Sequence, residues 1–185
     1  IITFGIKNKA NYRAEKITPL FPGWKFKLKN KFFEIKFPGF FNIYNFLASY
    51  SIARELGLSN SLIKKSIEKF KLPYLRMNVK KKNGIIFVVD CYNANPESMK
   101  EAIKTFNYEF KGKRKILILG DMLELGKKQK EFHKEIGSYI KNFNFDEVIS
   151  FGNLSSLYGG VHFKDKEKLK NYLKNFLKKG DTVLL

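Results

Sequence analysis

Between Trp24 and Phe37 apolar and charged residues alternate strictly: Trp24, Phe26 and Leu28 share one face, and Phe33, Ile35 and Phe37 share another, with Lys and Glu between. A period of two, broken at Asn30-Lys31 and ended by Pro38-Gly39, predicts a β-hairpin with one buried face. The period then changes. Residues 42–56 carry Ile43, Phe46, Leu47 and Tyr50 at helical spacing and stop at Gly57, and residues 61–70 repeat the pattern with Leu62, Ile63, Ile67 and Phe70. Pro73 pushes Leu72 out of helical geometry, so 71–73 reads as a linker.

Beyond the linker, strand and helix patterns alternate. Residues 85–89 (IIFVV) are a continuous apolar run of the kind buried on both faces of a parallel sheet. Asn95-Pro96-Glu97 then opens a helix, with Asn95 as N-cap, Pro96 at the first helical position and Glu97 complementing the dipole. That helix buries Met99, Ala102, Ile103 and Phe106. Strands at 116–119, 147–151 and 182–185 and helices at 129–143 and 166–177 complete the series. The expected class is α/β, with a Rossmann-like parallel-sheet domain over 78–185 preceded by a hairpin and helices over 1–73. Ligands in such sheets sit beyond the carboxyl ends of the strands.

Composition narrows the function classes. Of the 185 residues, 44% are hydrophobic and 16% aromatic, which excludes intrinsic disorder. A single cysteine excludes a disulfide framework, no run approaches the ~18 apolar residues of a spanning helix, and no signal-peptide pattern is present. A cytoplasmic, monomeric protein without membrane insertion is expected. The net charge of +19 suggests nucleic acid, but all but four of the 36 basic residues are Lys, scattered along the chain. Base and phosphate recognition leans on the guanidinium fork, so no nucleic-acid partner is expected. The chain opens inside an apolar segment at Ile1 and stops just after a turn at Gly180-Asp181, so a piece of a longer protein is expected.

Two strand ends hold the candidate chemistry. In Asp90-Cys91-Tyr92-Asn93-Ala94-Asn95-Pro96 a carboxylate, a phenol and two amides crowd before a helix N-terminus, where unpaired N–H groups suit an anion and Asp90 suits ribose hydroxyls or a metal-bound water. Taken singly, Asn93 and Asn95 also read as turn and cap residues. In Gly120-Asp121-Met122-Leu123-Glu124-Leu125-Gly126-Lys127-Lys128 the glycine spacing is one residue too long for a phosphate loop, and Lys128 stands where Ser or Thr belongs. Asp121 and Glu124 instead suit a substrate ammonium group, or simply solvate the loop. Asn42 and Asn45 place two amides on one helix face, as a purine edge requires, although an N-cap role for Asn42 is the plainer reading. Arg76, just after the linker, is placed to reach phosphate or to form a surface ion pair. His133 is expected at the surface, His162 in an edge segment, and Cys91 as a small buried residue. Phe106, Phe110, Phe132 and Phe143 are expected in the core, and no metal ligand set is seen.

The strings Asp90-Cys91-Tyr92-Asn93-Ala94-Asn95-Pro96-Glu97-Ser98-Met99, Gly120-Asp121-Met122-Leu123-Glu124-Leu125-Gly126 and Asn42-Ile43-Tyr44-Asn45-Phe46-Leu47-Ala48 together resemble the Mur ligase family. The likeness is to the branch that adds D-alanyl-D-alanine to UDP-N-acetylmuramoyl-tripeptide. It implies that 1–73 is the end of a P-loop-type ATP-binding domain and 78–185 most of the C-terminal domain. It also implies ATP-driven amide formation through an acyl phosphate, with ATP and Mg2+ as cofactors and the magnesium ligands outside this chain. Asn42 and Asn45 would contact adenine, Arg76 and Asp90 the ribose or phosphates, and Tyr92, Asn93 and Asn95 the nucleotide side of the cleft. Asp121 and Glu124 would lie near the incoming dipeptide. Phe41 stands where the family usually has His, and Leu75 where it usually has Gly. Without the Gly-Lys-Thr phosphate loop the chain alone is expected to be inactive. A non-catalytic nucleotide- or peptide-binding module is the alternative.

Overall fold

In the computed structural model, which describes residues 1–185, the chain opens with β1 (Phe4–Gly5) and β2 (Tyr12–Leu20), followed by the expected hairpin of β3 (Gly23–Leu28) and β4 (Lys31–Ile35). These strands form one sheet in sequence order. Phe26 lies opposite Phe33 across the hairpin, and both are fully buried. Helices α1 (Phe41–Glu55) and α2 (Asn60–Lys69) follow. Phe46 and Tyr50 of α1 meet Phe33 with ring centroids 5.2 and 5.4 Å apart, so one aromatic cluster joins helix to sheet. Each such buried ring contributes about 2 kcal/mol by transfer from water.

The chain divides into two units, Ile1–Leu72 and Pro73–Leu185. The second contains β5 (Asn78–Lys82), β6 (Ile85–Val89), α3 (Pro96–Glu109), β7 (Arg114–Gly120), α4 (Gln129–Ile140), β8 (Glu147–Phe151), β9 (Val161–Phe163), α5 (Lys166–Phe176) and β10 (Asp181–Leu184). The sheet order is β5-β6-β10-β7-β8-β9, with only β5 antiparallel to its neighbour. From β6 to β9 the chain moves in one direction across the sheet, and α5 then carries it back to insert β10 between β6 and β7. Because crossovers are right-handed, that reversal puts α5 on the opposite face from α3 and α4. The packing agrees: α5 covers Ile85, Ile116, Ile149 and Val183, while α3 and α4 lie against each other. Alternate residues of β7 point to opposite faces, so Leu117 and Leu119 are buried on the α3/α4 side.

Every expected strand and helix is present. β2 and β5 were not anticipated: β2 carries a register shift between Glu15 and Thr18, and β5 is a lysine-rich edge strand. Three residue expectations are corrected. Helix α1 begins at Phe41, so Asn42 is not an N-cap and lies buried inside the first turn. Cys91 is exposed, because it follows the last residue of β6 and leaves the sheet. His133 is fully buried, since it shares the inner face of α4 with Ile136, Gly137 and Ile140. Phe106 and Phe110 are core residues as expected, whereas Phe132 and Phe143 are half-buried.

Candidate functional site

The carboxyl ends of β6, β7, β8 and β10 converge on one edge of the second sheet. β6 delivers Asp90, whose amide donates to the Leu185 carbonyl at 2.7 Å, so Asp90 stands beside the end of β10. Its carboxylate accepts from the Met77 amide at 3.0 Å. Burial raises the Asp90 carboxyl above the usual carboxylate range, against the lowering pull of the Met77 amide and of the Arg76 charge. A carboxyl held in that way at a sheet's ligand edge favours a partner able to stabilise its charge.

Arg76 is held beside it. Its guanidinium lies 4.4 Å from the centre of the Tyr92 ring, and the Tyr92 amide donates to the Leu75 carbonyl at 3.2 Å. Leu75 and Met77 flank it with φ of 59° and 45°, left-handed conformations that cost an L-residue about 1–2 kcal/mol each. Strained backbone on both sides of Arg76 turns its side chain onto Tyr92, which is itself exposed. Asn93 accepts from the Ala94 amide, and Asn95 forms a full capping box with Ser98 at the start of α3. The carbonyl oxygen of Asn95 is therefore engaged, and its amide N–H groups are what remains for a ligand.

In the first unit, Asn42 donates to the Pro38 carbonyl at 2.7 Å and its own oxygen accepts from Asn45 at 3.0 Å. The buried amide thus orients the exposed one. Asn45 retains one N–H and its carbonyl oxygen, a donor and an acceptor on a single planar group.

At the end of β7 the structure supplies partners that no local signal announces. The Asp121 carboxylate accepts from the amides of Asn153, Leu154 and Ser155 at 2.7, 3.0 and 2.7 Å, tying the loop after β7 to the loop after β8. Burial would raise this carboxyl, but the three amides outweigh it and hold Asp121 below the usual range. Gly152, at φ 140°, leaves the space a Cβ would take from that carboxylate. Three donors occupy most of a carboxylate's acceptor sites, so Asp121 acts first as a clamp. Glu124, at φ 61°, stands exposed further along the same loop.

His133 and Tyr158 hold the same loop from beneath. His133 Nε2 accepts from the Met122 amide at 3.0 Å, which leaves Nδ1–H to donate to the Gln129 carbonyl at 2.7 Å. The Tyr158 ring stacks on the imidazole at 5.4 Å and 7°, and its hydroxyl donates to the Gly120 carbonyl at 3.2 Å. The two rings meet because Gly137, one turn beyond His133, lets α4 close on the 3-10 turn Ser155–Tyr158: a Cβ there would strike the Leu157 carbonyl. Gly137→Ala is therefore expected to destabilise the second unit by about 2 kcal/mol. Denaturant unfolding checks it, and an unchanged midpoint would contradict this packing.

His162 lies on the edge strand β9, as expected, and its Nδ1 meets the Ser150 hydroxyl at 2.9 Å. No three His, Cys, Asp or Glu side chains of this chain converge on one point. No helix is long and apolar enough to cross a membrane.

Known proteins are similar to this chain in sequence and fold. Residues 75–185 match the family described as "Mur ligase, glutamate ligase domain". The UDP-N-acetylmuramoyl-tripeptide--D-alanyl-D-alanine ligase of Bacillus subtilis is 32% identical over 98% of this chain and 43% of its own length. The enzyme of the same name from Buchnera aphidicola is 36% identical over 100% of this chain and 42% of its own. The crystal structure of a MurF ligase from Thermotoga maritima in complex with ADP superposes with a TM-score of 0.82 at 26% identity, covering 99% of this chain and 44% of that one. This chain thus spans less than half the length of these relatives. The second unit carries the matched family domain over almost its whole extent, and the chain belongs to the Mur ligase family.

Proposed function

We propose that this chain contributes the nucleotide-side helix pair and the C-terminal domain of an ATP-dependent ligase that joins D-alanyl-D-alanine to UDP-N-acetylmuramoyl-tripeptide. The reaction consumes ATP, a carboxylate and an amine, and yields ADP, phosphate and an amide. The γ-phosphoryl group passes to the tripeptide carboxylate, and the dipeptide amine then displaces it as phosphate. Magnesium, bound by groups outside this chain, would neutralise charge on the phosphates. In the first unit Asn45, oriented by Asn42, offers the donor and acceptor a purine edge reads. In the second unit Asp90 suits ribose hydroxyls. Arg76 presents its fork to phosphate from its platform on Tyr92, with Asn93 and Asn95 bordering the same edge. In the loop after β7, Glu124 is the carboxylate free to meet the dipeptide ammonium, while Asp121 clamps that loop and has at most one acceptor position left for substrate.

The observation that carries this reading is the ring-stacked Arg76, flanked by left-handed Leu75 and Met77, beside the half-buried Asp90 at the ligand edge of the sheet. In the complete gene product that carries this chain, Arg76→Ala should raise the KM for ATP about tenfold or more, the loss of a charge-assisted phosphate contact. The KM for D-alanyl-D-alanine should stay within twofold. Arg76→Lys should recover only part of the effect, because an ammonium cannot stack as a plane. An unchanged ATP KM in the alanine variant would remove Arg76 from the nucleotide site.

A further inference from the structure

We infer that His133 and Tyr158 are positioning residues for the incoming amine: they fix the shape of the loop after β7 and so set where its exposed tip stands. The inference rests on the reading of that loop as the dipeptide side of the site. It is carried by geometry. Gly120, Asp121 and Met122 are consecutive, and each is pinned by a different partner. The Gly120 carbonyl accepts from the Tyr158 hydroxyl, the Asp121 carboxylate takes three amides of the loop after β8, and the Met122 amide donates to His133 Nε2. Met122 is itself 1% exposed, so its side chain anchors the same segment in the core.

Beyond this anchored triplet the exposure reverses. Leu123 is 72% exposed and Glu124 follows in a left-handed conformation before Gly126 turns the chain at φ 60°. A segment held at three successive residues, two through the backbone and one through its carboxylate, and free at the next two presents those two at a defined place, which is what selection of a small zwitterion demands. A surface loop that needed only to be solvated would not take up a fully buried imidazole and a buried phenol for its backbone.

The imidazole is used in one specific form. Because the Met122 amide needs an acceptor at Nε2, the proton must sit on Nδ1, which donates to the Gln129 carbonyl. A side chain lacking an acceptor at that point leaves a buried N–H without a partner, and the loop must shift to solvate it. Glutamine can present an oxygen to Met122 and an N–H to Gln129, so it preserves both bonds, whereas phenylalanine preserves the stacking on Tyr158 but neither bond.

The test compares His133→Phe, His133→Gln and Tyr158→Phe in the complete gene product, measuring kcat and the separate KM values for ATP and D-alanyl-D-alanine. His133→Phe should raise the dipeptide KM about tenfold with the ATP KM within twofold, and His133→Gln should restore most of that loss. Tyr158→Phe, which removes one hydroxyl and keeps the ring, should raise the dipeptide KM about threefold. If His133→Phe fails to fold, the Tyr158→Phe and His133→Gln values decide alone. Equal rises in both KM values, or a fall in thermal stability with both unchanged, would reduce these residues to a structural role and overturn the inference. A parent enzyme that releases phosphate with ATP and tripeptide but shows no dependence on D-alanyl-D-alanine would instead overturn the functional reading on which it rests. Amide exchange separates the two failures: the Met122 amide should exchange faster in His133→Phe than in the parent whichever substrate is used, and equal exchange would contradict the pinning itself.

Discussion

Asp181→Ala should cost about 3–5 kcal/mol, the loss of a buried carboxylate that accepts three hydrogen bonds, two of them from the partly exposed Arg114 guanidinium. The Asp181 side chain is 2% exposed. Its two oxygens accept from Arg114 Nε at 2.9 Å and Nη2 at 2.7 Å, and the second also accepts from the Lys178 amide at 2.7 Å. Arg114 in turn donates to the Phe176 carbonyl at 2.9 Å and lies 4.7 Å from the Phe176 ring centre. One carboxylate therefore ties the start of β10 to the start of β7 and to the end of α5, at the edge of the sheet opposite the candidate site. A domain is stable by only about 5–15 kcal/mol, so the loss should appear as a fall in midpoint of more than about 10 °C in thermal unfolding. Asp181→Asn, which keeps one acceptor oxygen, should lose about half as much. A fall of less than about 3 °C in the alanine variant would show that the pair contributes nothing net.

Asp121→Ala ranks second, at about 3 kcal/mol. It strips the acceptor from three amides at once, and hydrogen bonds to a charged group contribute about 1.5–3 kcal/mol each, less what water recovers at a partly open loop. Unlike the Asp181 change, it should also loosen the loop after β7 and, under the proposed function, raise the dipeptide KM along with the loss of stability. The two carboxylates share a pH signature. Burial acts to raise each, but hydrogen bonds win and both titrate below their ordinary value when folded. Between that lowered value and the unfolded value near 3.9 the native state binds fewer protons than the unfolded one, so stability rises with pH across this window. Their contribution is complete above about pH 5 and lost as pH falls through the folded values. Asp90 runs the other way: its carboxyl is raised, so acid relieves it. Thermal midpoints measured from pH 7 to pH 3 should fall steeply in the parent and less steeply in the Asp121→Ala, Asp181→Ala double variant; parallel curves would contradict the assignment.

The elements legible in the sequence were those whose own periodicity reports their environment. The hairpin at 24–37 alternates apolar and charged residues, and the short apolar run Ile85–Val89 is bounded by turn residues, both patterns a strand satisfies. β5 was silent because an edge strand made of Asn78, Val79 and three lysines needs no apolar face. A lone His beside Phe132 suggests a surface position, whereas the spacing of His133 to Ile136, Gly137 and Ile140 places it on the inner face of α4. The partners of Asp121 lie more than thirty residues away in the chain, and nothing in the loop itself announces them. The candidate site divides in the same way. The residue types at the strand ends were readable, whereas the stacking of Arg76 on Tyr92 and the passing of orientation from Asn42 to Asn45 depend on backbone conformations set by the fold. Leu75 shows the limit most plainly, since its identity gives no hint of the left-handed conformation it must adopt.

The proposed ATP-driven amide formation is tested most directly by phosphate release from ATP by the complete gene product that carries this chain, with UDP-N-acetylmuramoyl-tripeptide present and D-alanyl-D-alanine added or withheld. The account predicts sustained release only when both are present, in step with formation of the pentapeptide product. Release at the same rate without the dipeptide, or none when ATP, tripeptide and dipeptide are all supplied, would contradict it.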